Sequence, residues 1–298
     1  MTKQFFYFIL LLTLFSCSEK EETIPETATS GKLKLAFDES FLPIVKQEKE
    51  IFQYLYKYAT LTDTSLSQEK AHELFLKDSV KLIFSARMLN DYETKYLKSI
   101  NVFPKQYEFA EDGLVVILNR SNPDSVFTLE QLKGIVKGNQ SKYSIVVESS
   151  TGASIVSFVR LLGLQKDSVK QVFSAETTKG IVDYVAQNIG AIGLMSSAWL
   201  SDMDSPVINE MLKRVKISRI YNPTTKDSYY PFQSELADSL YPLRRTIYVI
   251  SRESQMGLAN GFASFLLGEK GQRVVLKSGL LPNTIPSREV VLSKKSVY

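Results

Sequence analysis

An α/β fold is predicted by three features of this sequence. From Gly31 onward, short apolar runs of strand length alternate with stretches whose apolar residues recur at helical spacing, as strands and helices layered on one sheet do. Residues 113–118, Gly-Leu-Val-Val-Ile-Leu, are apolar without a break, the composition of a strand covered on both faces. The junctions between strand-like and helix-like segments are rich in serine and threonine, which suits helix starts.

Residues 32–37 read as a strand and 44–58 as a helix with Ile51, Leu55 and Tyr58 on one face. Residues 80–84 are strand-like again and precede a helix opened by Asn90 or Asp91. After the buried strand, Ser121-Asn122-Pro123-Asp124 breaks the pattern, and Leu129, Leu132, Ile135 and Val136 mark a short helix ended by Gly138. A strand over 143–147, a helix over 153–164, a helix over 180–187 and a strand over 191–194 follow. A later strand, 246–250, leads into a helix at 261–267, and no internal repeat is visible.

At 298 residues the chain is long enough for one large domain or two of ordinary size. Its 44% hydrophobic and 23% charged residues indicate a packed globular protein and argue against disorder or a coiled coil. The N-terminus differs from the rest. Residues 5–15, behind Lys3, are almost entirely apolar, too short a run to cross a membrane and the right length for the apolar core of a signal peptide. Leu14-Phe15-Ser16-Cys17 resembles the bacterial lipobox, so residues 1–16 read as a signal peptide and Cys17, the only cysteine, as the lipidated residue. Residues 17–30 then form a tether, expected to be disordered over 18–30 because charge, Thr and Pro dominate it. Lys20-Glu21-Glu22 also resembles an acidic export signal of surface lipoproteins, a solvated linker being the plainer reading. Loss of Lys3 leaves 35 Lys+Arg against 32 Asp+Glu, a balance that argues against nucleic acid as a partner. With Cys17 acylated no disulfide is available, so stability rests on the core.

Catalysis is poorly provided for. The single histidine, His72, lies in the charged helical stretch Gln68-Glu69-Lys70-Ala71-His72-Glu73-Leu74 and reads as a solvated surface residue. A Ser-His-Asp or Cys-His arrangement would need it, a Cys/His metal cluster is impossible, and neither a Walker loop nor Gly-x-Gly-x-x-Gly occurs. No catalytic residue, metal or cofactor is therefore expected. The hydroxyl-rich junctions carry more information. Glu148-Ser149-Ser150-Thr151-Gly152-Ala153-Ser154 precedes a helix whose Ile155, Phe158, Val159 and Leu162 form an apolar face. Free N–H groups, hydroxyls and a glycine at a helix start make an anion site, with plain N-capping as the alternative. Asp38-Glu39-Ser40-Phe41, Ser85-Ala86-Arg87 and Thr177-Thr178-Lys179-Gly180 are similar junctions. In an open α/β sheet such loops gather at the carboxyl ends of the strands, where ligands bind.

A longer set of short motifs runs in order along the chain. It comprises Ser40-Phe41-x-Pro43, Ser85-x-Arg87-x-Leu89, the strand 113–118, Leu129-Glu130-Gln131-Leu132 ending at Gly138, and Thr151-Gly152-Ala153-Ser154. It continues with Gly180-Ile181 to Gly190-Ala191-Ile192-Gly193, Tyr241-Pro242-Leu243-Arg244-Arg245, Gly261-Phe262 to Gly271-Gln272, and Gly279-Leu280-Leu281-Pro282. In this order and spacing the chain resembles the phosphate-binding protein family of bacterial phosphate ABC transporters, in its Bacteroidetes-type lipoprotein branch. The resemblance implies a type II periplasmic-binding-protein fold, two α/β lobes closing on a tetrahedral oxyanion. Residues 31–118 plus 244–298 are expected to form lobe 1 and 119–243 lobe 2. It implies a site in which Ser40, Ser85, Ser150 and Thr151 donate hydroxyl bonds, Phe41, Gly152 and Ala153 offer backbone N–H groups, and Arg87 supplies the counter-charge. Three positions depart from the family's pattern: Ala86 stands where a carboxylate is usual, Val147 where an arginine is, and Ala153 where a threonine is. A carboxylate that accepts the proton of phosphate is how such sites reject sulfate, so discrimination is expected to be poorer unless Asp38, Glu39 or Glu148 reaches the site. For Arg87 the alternative to ligand binding is a salt bridge with Asp91 or Glu93. The expected protein is a non-enzymatic, monomeric, lipid-anchored solute binder of the cell envelope, on the periplasmic side or the outer-membrane surface. Its expected partners are phosphate or a similar oxyanion, ABC permease subunits and the membrane through the lipid. The alternatives are a surface interaction or adhesion lipoprotein on the same scaffold, or a binder of another oxyanion or an organic phosphate.

Overall fold

Strands and helices alternate around one mixed sheet, as the apolar patterning requires. The computed structural model describes residues 25–139, 142–170, 172–200 and 206–286. Cys17, the segment 1–16 and tether residues 17–24 lie outside the described residues.

The first half of the chain supplies β1 (Gly31–Asp38), α1 (Leu42–Leu55), β2 (Ala59–Leu66), α2 (Gln68–Leu76), β3 (Leu82–Ser85), α3 (Asp91–Ser99) and β4 (Lys105–Asn119). Next come β5 (Val126–Phe127), α4 (Leu129–Val136), β6 (Ser144–Val147), α5 (Ala153–Leu161), β7 (Val172–Ser174), α6 (Thr178–Gln187) and β8 (Ala191–Ser196). The remainder is α7 (Pro206–Lys213), β9 (Val215–Ile217), β10 (Arg219–Asn222), β11 (Asp227–Tyr229), α8 (Gln233–Ala237), β12 (Arg244–Ser251), α9 (Leu258–Leu267), α10 (Glu269–Lys277) and β13 (Leu281–Pro282). Helix starts are set locally. Asn90 and Glu93 form a reciprocal capping box on α3, Thr128 and Gln131 another on α4, and Thr177 accepts from the Gly180 N–H on α6.

The main sheet runs β2-β1-β3-β12-β4-β8-β6-β7, with β13 and β9 pairing β4, while β5, β10 and β11 form a separate ribbon. Strand β4 joins two half-sheets. Its residues from Lys105 to Gly113 pair antiparallel with β12, and those from Leu114 to Asn119 pair with β8 and β9. The apolar run 113–118 is thus the second half of a strand of 15 residues, whose first half is more exposed and carries a weaker signal. Strand β12 also pairs antiparallel with β3, which lies parallel to β1.

Separate clusters fill the faces of the two half-sheets. One gathers Leu35, Phe37, Phe52, Phe84, Phe109 and Phe262 around β1, β3, α1 and α9, with the Phe52 ring 5.0 Å from Phe262 and 5.2 Å from Phe265. The other packs Val116 and Leu118 of β4 with Phe158, Ile192 and Tyr241. Each fully buried side chain of this size contributes roughly 1.5–3 kcal/mol.

Two expectations are corrected here. Helix α1 does not bury the Ile51, Leu55, Tyr58 face: these are exposed, and Ile44, Val45, Glu48 and Phe52 face the core. The acidic residue in the middle of the true stripe conceals it. Both Glu48 carboxylate oxygens are buried without a hydrogen-bond partner, and burial pushes the carboxyl up to about 9. Nor are residues 25–30 of the tether disordered. Thr27 and Ser30 close a turn whose Ala28 lies against α9, so close that a Cβ on Gly261 would stand 1.8 Å from the Ala28 carbonyl oxygen. Polar composition predicts disorder only where no packed surface holds the backbone. Among the described residues no helix is long and apolar enough to cross a membrane.

Candidate anion site

Strand β1 ends in a buried carboxylate that three chain segments share. Asp38 Oδ1 accepts from the Ser40 N–H at 3.1 Å and the Ser40 hydroxyl at 2.8 Å, capping the single turn Glu39–Phe41 that leads into α1. Its Oδ2 accepts from the Gln68 N–H at the start of α2 and the Ala153 N–H at the start of α5, both at 2.9 Å. The N-terminal ends of two helices therefore already hold an oxyanion, supplied by the chain itself. Gly152 keeps the approach open, since a Cβ there would lie 3.2 Å from Asp38 Oδ2. The same two sides meet again where the Glu69 N–H donates to the Thr151 carbonyl at 3.4 Å and Lys166 pairs with Glu69 at 2.7 Å.

Arg245 lies beside this carboxylate. Its Nε and Nη2 donate to Asp112 Oδ2 at 2.9 and 2.7 Å, and Nη2 also approaches the Ser40 hydroxyl at 3.4 Å. The guanidinium lies over the Phe41 ring, 4.9 Å from its centroid. Asp112 Oδ1 accepts in turn from the Ser197 N–H at 2.9 Å and the Ser197 hydroxyl at 2.7 Å, where the turn after β8 begins.

Ser85 belongs to a second network. Its hydroxyl lies 2.8 Å from His72 Nε2 and 3.1 Å from Gln68 Oε1, and it accepts from the Arg87 N–H at 3.2 Å. His72 is not solvated: it is 2% exposed, and its Nδ1 faces Glu93 Oε1 at 3.2 Å. Alternating charges around it suggested a surface position, but residues 68, 72 and 75 form the inward face of α2. Burial lowers the His72 pKa, with Arg87 adding to the effect and Glu93 opposing it, so the ring is neutral. Arg87 grips the same glutamate with Nη1 and Nη2 at 2.7 and 2.8 Å, and donates to the Met88 carbonyl. Of its two alternative carboxylate partners, Arg87 takes Glu93.

Ser40, Phe41, Gly152 and Ala153 are brought together around Asp38, while Ser85 and Arg87 stand behind them with His72 and Glu93. Thr151 is half-buried with its N–H and hydroxyl turned to Ser149, and Ser150 is exposed. A cavity of about 450 Å³ opens next to the site, lined among others by Asp38, Glu39, Glu148, Ser149 and Thr177. Glu148, at the end of β6, is buried, accepts from the Thr178 hydroxyl at 3.4 Å and leaves Oε2 without a hydrogen-bond partner. Burial and the neighbouring Asp38 charge push it up to about 8. Burial raises Asp38 too, against its donors and Arg245. No group of His, Cys, Asp and Glu among the described residues is arranged to hold a metal ion.

A family model described as a PBP superfamily domain matches residues 23–270. The chain belongs to this family. Known proteins are similar over most of their length: the phosphate-binding protein PstS of Staphylococcus saprophyticus is 24% identical over 246 residues, covering 77% of this chain and 74% of its own. PstS of Staphylococcus aureus strain USA300 is 23% identical over 259 residues, covering 81% and 76%. Among solved structures, a Clostridium perfringens protein assigned as a phosphate ABC transporter substrate-binding protein, with phosphate bound, superposes with a TM-score of 0.71 at 18% identity. That likeness covers 85% of this chain and 100% of the other. An ABC-type phosphate transport receptor of Vibrio cholerae gives 0.63 at 20% identity, with the same coverage. At these identities the superpositions establish the shared fold.

Within this PBP-family chain, sequence reasoning missed Arg245, Asp112 and the central place of Asp38. Arg245 had a signal: it shares strand parity with Ile247 and Val249, which are buried, whereas Arg244 points the other way toward Glu111. An arginine on the inward side of a strand needs a buried carboxylate or a ligand.

Proposed function

We propose that this chain is the solute-binding subunit of an ABC importer and that it captures inorganic phosphate at the α2 and α5 helix starts. The observation that carries this reading is the Asp38 carboxylate, already held there by two backbone N–H groups and Ser40. Donors arranged for one oxyanion suit another, and the relatives in hand are named as phosphate-binding proteins. In this reading Ser40, Ser85, Ser150 and Thr151 are hydroxyl ligands, and Phe41, Gly152 and Ala153 present N–H groups. Arg87 orders the Ser85 side of the site through Glu93 and His72. The protein binds and releases without catalysis. Lobes of residues 31–118 plus 244–298 and of 119–243 close about β4, where the ladder changes partner between Gly113 and Leu114.

Discrimination against sulfate follows from charge. Asp38 is an acceptor that a protonated phosphate can satisfy and a fully ionised sulfate cannot. Titration calorimetry of the mature protein with phosphate, sulfate and organic phosphates tests the reading. One-to-one phosphate binding is expected, tighter than sulfate. Affinity should fall as pH rises from 7 to 9, because Glu148 loses its proton near 8 and adds a negative charge beside the anion. Absence of binding by any of these anions would end the proposal.

The address of the protein is part of the same reading: Cys17 carries the lipid and holds the domain at an envelope membrane, outside the cytoplasm. Cys17→Ser is expected to move the protein from the membrane to the soluble fraction or leave its precursor unprocessed. Membrane fractionation identical to wild type would remove the anchor from the proposal.

A further inference from the structure

Arg245 is buried, with its side chain fully covered, yet Nη1 has no hydrogen-bond partner. A guanidinium N–H left unpaired in the interior is costly, and native interiors rarely carry one without a use. Every other contact fixes this group in place. Asp112 clamps Nε and Nη2 from one edge, Ser197 fixes Asp112, and the Phe41 ring lies against the guanidinium face. The remaining edge of the planar fork is the one that carries Nη1. The same charge acts on Asp38 and on Glu148, opposing the burial that raises each, which places it within electrostatic reach of both cleft carboxyls. A second buried donor nearby is also unpaired: Gln68 Nε2, whose amide is oriented by the Ala86 N–H and Ser85 hydroxyl on Oε1. Arg87, in contrast, has both terminal nitrogens on Glu93.

We infer that Arg245 is the cation that anchors the oxyanion, its Nη1 and the Gln68 amide donating to a tetrahedral anion seated beside Ser40. This rests on the reading of the cleft as an oxyanion site and names the residue that gives it charge. Asp112 keeps the guanidinium in one orientation, so the fork meets the anion already ordered. The position in the family pattern left empty at Val147 is thereby compensated from a different strand, β12 in place of the end of β6.

The test is a phosphate titration of wild type, Arg245→Lys and the paired exchange Arg245→Gln with Asp112→Asn, each checked by its melting curve. The exchange removes both charges together and leaves no buried ion alone, so its fold is retained; phosphate affinity is expected to drop more than about tenfold. In Arg245→Lys, Asp112 remains paired while the fork is lost, and a drop of at least about fivefold is expected. If the exchange fails to fold, Arg245→Lys decides alone. Wild-type affinity in the folded variants would overturn the inference while leaving the oxyanion reading intact. Failure of the wild type itself to bind phosphate, sulfate or organic phosphates would overturn both.

Discussion

Glu48→Gln is expected to stabilise the protein at neutral and alkaline pH, by an amount that grows with pH. The carboxyl is buried in α1 with neither oxygen bonded, and its folded pKa is about 9 against an ordinary value of 4.5. A carboxyl raised in the folded state is neutral in both states below pH 4.5; above it the unfolded chain ionises first, and stability is lost as pH rises toward 9. Between pH 4.5 and 7.5 the loss amounts to roughly 4 kcal/mol at about 1.4 kcal/mol per pH unit. The amide is not ionisable, so the variant escapes this decline, although its own unpaired polar atoms cost about 1–3 kcal/mol at every pH. Urea midpoints measured across pH 4.5–9 should therefore cross, with wild type favoured at the acid end and the variant at the alkaline end. Parallel profiles would show that Glu48 finds a partner in solution.

Asp38→Asn is expected to raise sulfate affinity by at least about tenfold and to narrow the preference for phosphate. Two like charges about 5 Å apart repel by roughly 3 kcal/mol at an effective dielectric constant near 20, and the substitution removes that repulsion. The asparagine oxygen still accepts from the Ala153 and Gln68 N–H groups, while its amide nitrogen takes the place of the acceptor of the Ser40 N–H. Phosphate gains less, because it loses an acceptor for its proton. Competition titration of sulfate against phosphate reads the ratio directly; an unchanged ratio would assign discrimination to Glu148 or to another group.

How much could be read in advance depended on the range of the forces involved. Helix α4 was legible to its ends because its apolar residues recur locally and Thr128 and Gln131 cap it within one turn. The junctions at Ser40 and Thr151 were legible for the same reason, as hydroxyls and a glycine next to helix starts. The charges that govern the site were not. Arg245 and Asp112 meet across 133 residues of chain, and His72 reaches Glu93 across 21 and Ser85 across 13. Such pairings come from sheet order, which apolar periodicity does not encode. Misplaced faces have a related cause: Glu48 and His72 are polar residues in inward stripes, and a reading based on polarity turns both helices outward.

Among the described residues, strand β4 and the segment entering β12 are the two places where the chain passes between the half-sheets, and they do so side by side. The Leu114 N–H donates to the Leu243 carbonyl at 2.9 Å, the Tyr241 hydroxyl donates to the Leu114 carbonyl at 2.6 Å, and Arg245 is clamped to Asp112 one residue before the ladder changes partner. A two-stranded ribbon of this kind is compliant to bending and twisting but resists shear, because sliding one strand past the other breaks every rung at once. For the proposed closure such a ribbon would act as an axle, with one soft angular coordinate and stiff translations. In the proposed lobe closure, a guanidinium mounted on this ribbon would keep its position while the helix starts of the two halves sweep toward it or away.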